Sequence, residues 1–222
     1  MNDLLQLLDH VQSGSIEKKR KAAENLPRYI QKVPEMGDDV VNAVYDLCED
    51  PAAEVSPVPA QNHVRAMTLG QVRVEGYKSI VAVSKEDQGT LKRNVDVLIQ
   101  LLQCGQFRPY FRPVVQDSST EETDDPGEII HIREGLVQHL AIDPNVAMTV
   151  LCDQLSWTED EHGNREQLRT LVLEFLGRTV RSLDVAIIRS SGEILVEGII
   201  NVSPLSSGSG FSPSCFGIIG PP

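Results

Sequence analysis

Aromatic residues are scarce in this chain, at 5% of 222 residues with a single tryptophan. A core built here has to come from Leu, Val and Ile, the aliphatic ridges that helix-on-helix packing uses. Cysteine is sparse too. Cys48, Cys104, Cys152 and Cys215 are widely scattered and none forms a C-x-x-C pair, which argues against a zinc module or a disulfide framework and for free, mostly buried thiols in a reducing compartment. No run approaches eighteen apolar residues, so no membrane span is expected. The opening MNDLLQLLDH lacks the basic start and small-residue cleavage site of a signal peptide, and the expected location is intracellular. Positive charge is in deficit, with 20 Lys+Arg against 32 Asp+Glu and a formal net charge of −12. Wholesale binding to nucleic acid or an anionic membrane would be repelled, although a local basic patch stays compatible.

The marks of catalysis are missing as well. His10, His63, His131, His139 and His162 make no i,i+4 pair, and no H-E-x-x-H, G-x-S-x-G, Walker-type or G-x-G-x-x-G motif occurs. Glu128 and His131 have the E-x-x-H spacing of di-iron bundles, but that site needs a second copy and two further glutamates on facing helices. Glu159-Asp160-Glu161-His162 reads as a solvated acidic loop. No catalytic residue, cofactor, metal or small-molecule substrate is expected. Cys48 and Cys152 lie on apolar stripes as small core residues. Trp157 closes a helix, as a core residue or an interface anchor.

What is present is helical periodicity. Leu4, Leu5, Leu7, Leu8 and Val11 mark a short helix closed by Ser13-Gly14, after which Ser15 can cap the next. Ala22, Leu26, Ile30 and Val33 share one face, with Pro27 expected to bend that helix or end it early. After a turn at Pro34–Asp38, with Asp38 or Asp39 as cap, Val40, Val41, Val44, Leu47 and Cys48 form the next stripe. Residues 51–71 hold three prolines and a glycine without a clear period and read as a loop. Period resumes at Val74, Tyr77, Ile80 and Val81. Ser84 and Asp87 resemble a capping box before Leu91, Val95, Leu98 and Leu102. Residues 104–127 are an acidic polar linker. Ile132, Leu136, Val137 and Leu140 restart the pattern, Asp143-Pro144 opens a helix with Val146, Val150, Leu151 and Leu155, and a loop at 158–164 precedes the strongest stripe, Leu168 to Val180. Ser190 to Glu193 is a second capping-box pattern, followed by Leu195, Val196, Ile199 and Ile200. The tail 202–222, rich in Ser, Gly and Pro, reads as disorder.

No strand alternation persists, so the expected class is all-α: an α-solenoid of HEAT/armadillo-like antiparallel helix pairs with irregular insertions. A compact helix bundle is the rival. The expected organisation is 1–103 N-terminal HEAT-like helices, 104–127 linker, 128–201 further HEAT-like helices and 202–222 tail.

One repeat is interrupted. A HEAT-type second helix opens with an acid a few positions before a Val-Arg pair, and that arginine can pair with an acid of the adjacent repeat. Here Asp50 is followed by Val55-Ser56, without an arginine. Removing 55–71 joins EDPAAE to VRVEGYKSI and brings Val72-Arg73 into place, so that Asp50, Val72 and Arg73 form the repeat signature. Val55-Ser56 can be encoded by a GT-x-AGT splice donor and Gln71 by a CAG acceptor, so 55–71 reads either as a translated, unspliced intron or as an ordinary inserted loop. Val202-Ser203 after Asn201 begins the same way.

The segments EKKRKAAENLPRYIQKVPEM (17–36), NAVYDLCED (42–50) and VLIQLLQ (97–103) resemble the apoptosis inhibitory protein 5 family. The likeness covers about 15–54 and 72–103, and more loosely 128–200. It implies a HEAT-like front followed by an armadillo-like back, a nuclear or nucleocytoplasmic location, and suppression of programmed cell death by binding other proteins. This chain resembles the front part only, so functions of the back half, a C-terminal nuclear signal among them, are in doubt. The expected function is a non-enzymatic interaction scaffold. Lys18, Lys19, Arg20 and Lys21 are the candidate partner-binding residues, matching a short nuclear-import pattern or a patch for an acidic partner. The alternative is a nuclear RNA-associated adaptor using the same run, less favoured at this net charge.

Overall fold

A computed structural model describes residues 1–50, 63–107, 127–155, 164–179, 181 and 183–200. Among them it shows helices and turns and no strand. The α-helices are α1 (Asn2–Ser13), α2 (Ile16–Asn25), α3 (Gly37–Cys48), α4 (His63–Glu86), α5 (Leu91–Phe107), α6 (Gly127–Ile142), α7 (Pro144–Asp153), α8 (Asn164–Thr179) and α9 (Val185–Ile200). Pairs form between α1 and α2, α3 and α4, and α5 and α6. In one layer α2, α4 and α6 lie side by side. In the other α1 meets α3, and α5, α7 and α9 follow one another. Each element therefore leans on its nearest neighbours, which is the packing of an α-solenoid. None of the described helices is long and apolar enough to cross a membrane.

The local chemistry explains most boundaries. Pro27 has no N–H to give an i→i−4 bond, so α2 stops at Asn25 and the chain tightens into a 3-10 turn over Leu26–Tyr29. Asp143 accepts the Asn145 and Val146 N–H groups at 3.0 Å each, capping α7 with Pro144 at its first position. Val40, Val41, Val44, Leu47 and Cys48 are all buried, as the stripe on α3 predicts.

Several cap expectations are corrected. Ser15 occupies the N-cap of α2 without a side-chain cap bond. The N-cap of α3 is Met36, and Asp38 and Asp39 sit in its first turn, where a carboxylate suits the positive end of the helix. Ser84 and Ser190 are helix-interior residues. Asp87 caps a 3-10 turn by accepting the Gly89 N–H, and Asp184 accepts the Ala186 N–H at the start of α9. The loop expected over 51–71 is helical from His63 onward. Residues 63–71 contain no proline, and a helix already docked over 72–86 extends at little cost once nucleated. The linker expected from 104 likewise begins later, since α5 runs to Phe107. The rest of both segments, Trp157, Glu159–His162, Val180, Val202-Ser203, Cys215 and the expected tail lie outside the described residues.

Close approach between layers depends on small residues. A Cβ added at Gly76 would lie 2.9 Å from Cys48 Sγ and 3.0 Å from its backbone nitrogen, so α4 passes directly over the end of α3. Gly198 does the same for α9 over α7, where a Cβ would meet Cys152 Sγ at 2.5 Å.

A buried polar chain ties four helices together. His139 Nδ1 donates to the Gly135 carbonyl at 2.7 Å, which leaves its Nε2 to accept from Ser84 Oγ at 2.9 Å. Asn94 Nδ2 donates to Ser84 Oγ at 2.8 Å, and Tyr45 Oη donates to Asn94 Oδ1 at 2.5 Å. Asn94 Nδ2 also donates to Thr90 Oγ1 at 3.1 Å and to the Ile80 carbonyl at 3.4 Å. The direction along the chain never reverses, so α3, α4, α5 and α6 are tied into one register. Burial, the largest effect, pushes the His139 imidazole below its ordinary pKa of 6.5; the Gly135 carbonyl opposes this and Lys85 adds to it.

The folded protein thus resists a proton that the unfolded chain accepts. Stability from this group is complete above pH 6.5 and is lost as pH falls below that value toward the lowered folded pKa. Urea unfolding between pH 8 and 5 is expected to show this decline, at a slope of up to about 1.4 kcal/mol per pH unit. His139→Gln, although less stable throughout, is expected to lose up to one proton of that dependence. An unchanged slope in the variant would assign the dependence elsewhere.

Candidate interaction site

The basic run lies on α2, and its four residues have different surroundings. Lys18 and Lys21 are exposed. Lys19 is half-buried, with Nζ 2.6 Å from Asp50 Oδ2. Arg20 Nη1 reaches Gln71 Oε1 at 3.3 Å. Four successive residues point to different sides of a helix. Lys18 and Lys21, three apart, are the exposed cations of the run, Arg20 is partly buried against the neutral Gln71 amide, and Lys19 joins α2 to the end of α3.

Asp50 is the start of an inter-helix chain. It is buried just beyond α3, and its backbone carbonyl accepts from Arg73 Nη1 at 3.2 Å. Arg73 lies on α4 and is 5% exposed. Its Nε donates to both carboxylate oxygens of Glu128 at 3.1 Å, and Nη2 pairs with Oε1 of the same residue. Glu128 opens α6 in the next helix pair, where a carboxylate also suits the helix start. Val72, one position earlier, is fully buried in the aliphatic core. Lys19, Asp50, Arg73 and Glu128 therefore link α2, the end of α3, α4 and α6, across three successive helix pairs.

This arrangement accounts for the Glu128–His131 spacing. Glu128 serves Arg73, and His131 Nδ1 lies 2.9 Å from Glu134, so the two do not converge. Among the described residues no group of three His, Cys, Asp or Glu could hold a metal ion. Cys48 and Cys152 are buried, and burial, reinforced by Glu49 and Asp153 respectively, pushes both thiols up. They are small core residues with little thiolate character. Cys104 is exposed.

Pattern reading missed the Tyr45–Asn94–Ser84–His139 chain. A signal was available: Ser84 falls three after Val81, Asn94 three after Leu91, and His139 three after Leu136, all on apolar faces. Polar residues at such positions need buried partners.

Truncating Arg73 would remove the hydrogen bonds it gives to the Glu128 carboxylate and the Asp50 carbonyl. Arg73→Ala is expected to cost about 2 kcal/mol or more, and Lys19→Ala about 1 kcal/mol. The double variant Lys18→Ala/Lys21→Ala is expected to stay within about 0.5 kcal/mol of the parent. Urea titration of the three proteins distinguishes structural from exposed basic residues, and equal losses would contradict the division.

No family model matches the chain, and no solved structure matches it. Among curated proteins it is similar to apoptosis inhibitor 5 of Mus musculus, 25% identical over 190 residues that make up 86% of this chain and 29% of the relative. Apoptosis inhibitor 5 of Homo sapiens is 25% identical over the same length, 28% of that protein. Apoptosis inhibitor 5 of Gallus gallus is 34% identical over 97 residues, 44% of this chain and 15% of the relative. The chain thus spans less than a third of the length of the curated relatives it matches. Its residues 17–36, 42–50 and 97–103 point the same way, and the chain is similar to apoptosis inhibitor 5 over most of its own length.

Proposed function

We propose that this chain is a non-enzymatic HEAT/armadillo-type scaffold that restrains programmed cell death by binding other proteins in the nucleus or cytoplasm. The similarity to apoptosis inhibitor 5 across 86% of the chain carries the reading. The physical setting supports it. The buried polar groups described above are occupied in joining helices, and none is gathered around an open cleft where a reaction could be run. Binding would use the outer surfaces of stacked helices, as in the shallow apolar depression on α6 lined by Ile130 and Val137 with Arg133, Glu134 and Gln138 at its edges. A partner's helix or extended segment can lie across such a surface.

The RNA-adaptor alternative is weaker. Lys18 and Lys21 are the exposed cations of the run, and two phosphate contacts give a shallow salt dependence and little affinity.

We also propose that residues 55–71 are dispensable to the repeat. Without them, residues 51–54 would replace the four helical positions before Val72. Arginine side chains on a helix lean toward its N-terminus. Arg73, then six positions and about 9 Å of helix rise beyond Asp50, would still reach the Asp50 carbonyl.

Two outcomes are expected. Expressed in cells deprived of survival signals, the chain should lower the dying fraction, and Ile130→Asp/Val137→Asp should abolish that protection while leaving helical content intact. Protection that persists in the double variant would move the binding surface elsewhere, and no protection by the parent would remove the cell-death reading. A chain lacking 55–71 should unfold cooperatively at equal or higher urea concentration than the parent. Loss of cooperative unfolding would show that the segment belongs to the fold.

A further inference from the structure

The basic residues of this chain are concentrated in one place. Residues 18–32 hold six of its 20 Lys+Arg and one of its 32 Asp+Glu, so they carry a formal +5 while the rest of the chain carries −17. Lys19 is held by Asp50, and Arg20 turns toward Gln71. The other four, Lys18, Lys21, Arg28 and Lys32, are exposed. Their spacings of three, seven and four place them on one side of a helix. The 3-10 turn over Leu26–Tyr29 does not break this line. At about 120° per residue there and about 100° elsewhere, the four fall within an arc of about 100°. Asn25 stands in the same arc, while Glu17 and Glu24 fall outside it, beyond Lys21. The result is a cationic ridge about 23 Å long on α2 and the turn that follows it.

The fold itself engages this ridge only loosely. Among the described residues no ridge cation forms an ion pair. Arg28 Nη1 reaches the Asn25 amide oxygen at 3.4 Å, and Lys32 Nζ lies 5.5 Å from the centre of the Tyr29 ring. Four cations in a row repel one another, and a row of carboxylates laid along them relieves that repulsion.

The charge of the remaining chain decides which polyanion fits. An RNA strand or an anionic membrane extends past the ridge and meets the −17 of the other residues, which repels it. RNA bases also need aromatic faces to stack on, and Tyr29 is half-buried with Lys32 across its ring. A protein segment can confine its carboxylates to the length of the ridge, in about seven extended residues or about four helical turns. We propose that the ridge of Lys18, Lys21, Arg28 and Lys32 docks an acidic segment of a partner protein. This rests on the protein-scaffold reading above, and adds a surface separated from the α6 depression by α4.

Fluorescence anisotropy with the full chain tests it, using a labelled peptide of alternating Asp and Glu about eight residues long. The parent is expected to bind this peptide saturably, less tightly as salt rises, and more tightly than an RNA oligonucleotide of equal charge. Lys18→Glu/Lys21→Glu and Arg28→Glu/Lys32→Glu should each weaken the peptide at least tenfold with helical content unchanged. Arg181→Glu/Arg189→Glu makes the same charge change on exposed residues at the far end of the stack, and should alter binding less than twofold. No saturable binding by the parent, tighter binding of the RNA, or an equal loss from the remote pair overturns the proposal. So does a chain lacking 117–125 that binds the peptide at least tenfold more tightly, which assigns the ridge to this chain's own acidic residues. The cell-survival assay with Ile130→Asp/Val137→Asp does not depend on these outcomes, so failure of the ridge and failure of the scaffold reading are told apart.

Discussion

A guanidinium does not give up its charge in a protein, so a buried arginine forces the structure around it to supply acceptors. Arg73 is that residue here. Its acceptors come from opposite directions along the stack: the Asp50 carbonyl from just beyond α3, and the Glu128 carboxylate from the first turn of α6. Asp50 is held in turn by Lys19 of α2. A sliding of any of these helices by one residue would strand a charge in the core. The aliphatic contacts alone do not have this property, since Leu, Val and Ile ridges tolerate small shifts. The ion-pair chain therefore sets the register, and burial of the aliphatic faces supplies most of the driving force.

The polar chain from Tyr45 to the Gly135 carbonyl repeats the principle one helix pair further on. Every group in it is satisfied only when α3, α4, α5 and α6 are all in place. Between them the two chains make adjacent pairs interdependent. A stack whose elements otherwise meet only their neighbours thereby gains cooperativity. The glycines at 76 and 198 act at the same level, by letting α4 and α9 approach α3 and α7 closely enough for the cores to close.

Helix existence was readable wherever a long apolar period ran without interruption, as on α3, α5 and α8. Boundaries set by one residue's own chemistry were readable too, as with Pro27 and Asp143. Caps failed where the same short pattern has two physical uses. Ser84 followed by Asp87, and Ser190 followed by Glu193, match a capping box, but their serines lie inside helices, Ser84 in the buried polar chain and Ser190 donating to the Ile187 carbonyl. The candidate basic run is divided among different surroundings. Four successive cations look like one patch in a string of letters, but a helix distributes them, and Lys19 proves to be an internal fastening.

By itself the sequence determined the all-α class, the aliphatic core positions, and the resemblance to a family of cell-death inhibitors. Periodicity and local backbone chemistry act over a few residues and are written along the chain. Only the tertiary structure decided which acid Arg73 meets, which of the basic residues remain exposed, and that Ser84, Asn94 and His139 complete one another. Those facts concern residues tens of positions apart. They are settled by which helix faces come together, and the spacing of residues within one helix does not contain that information.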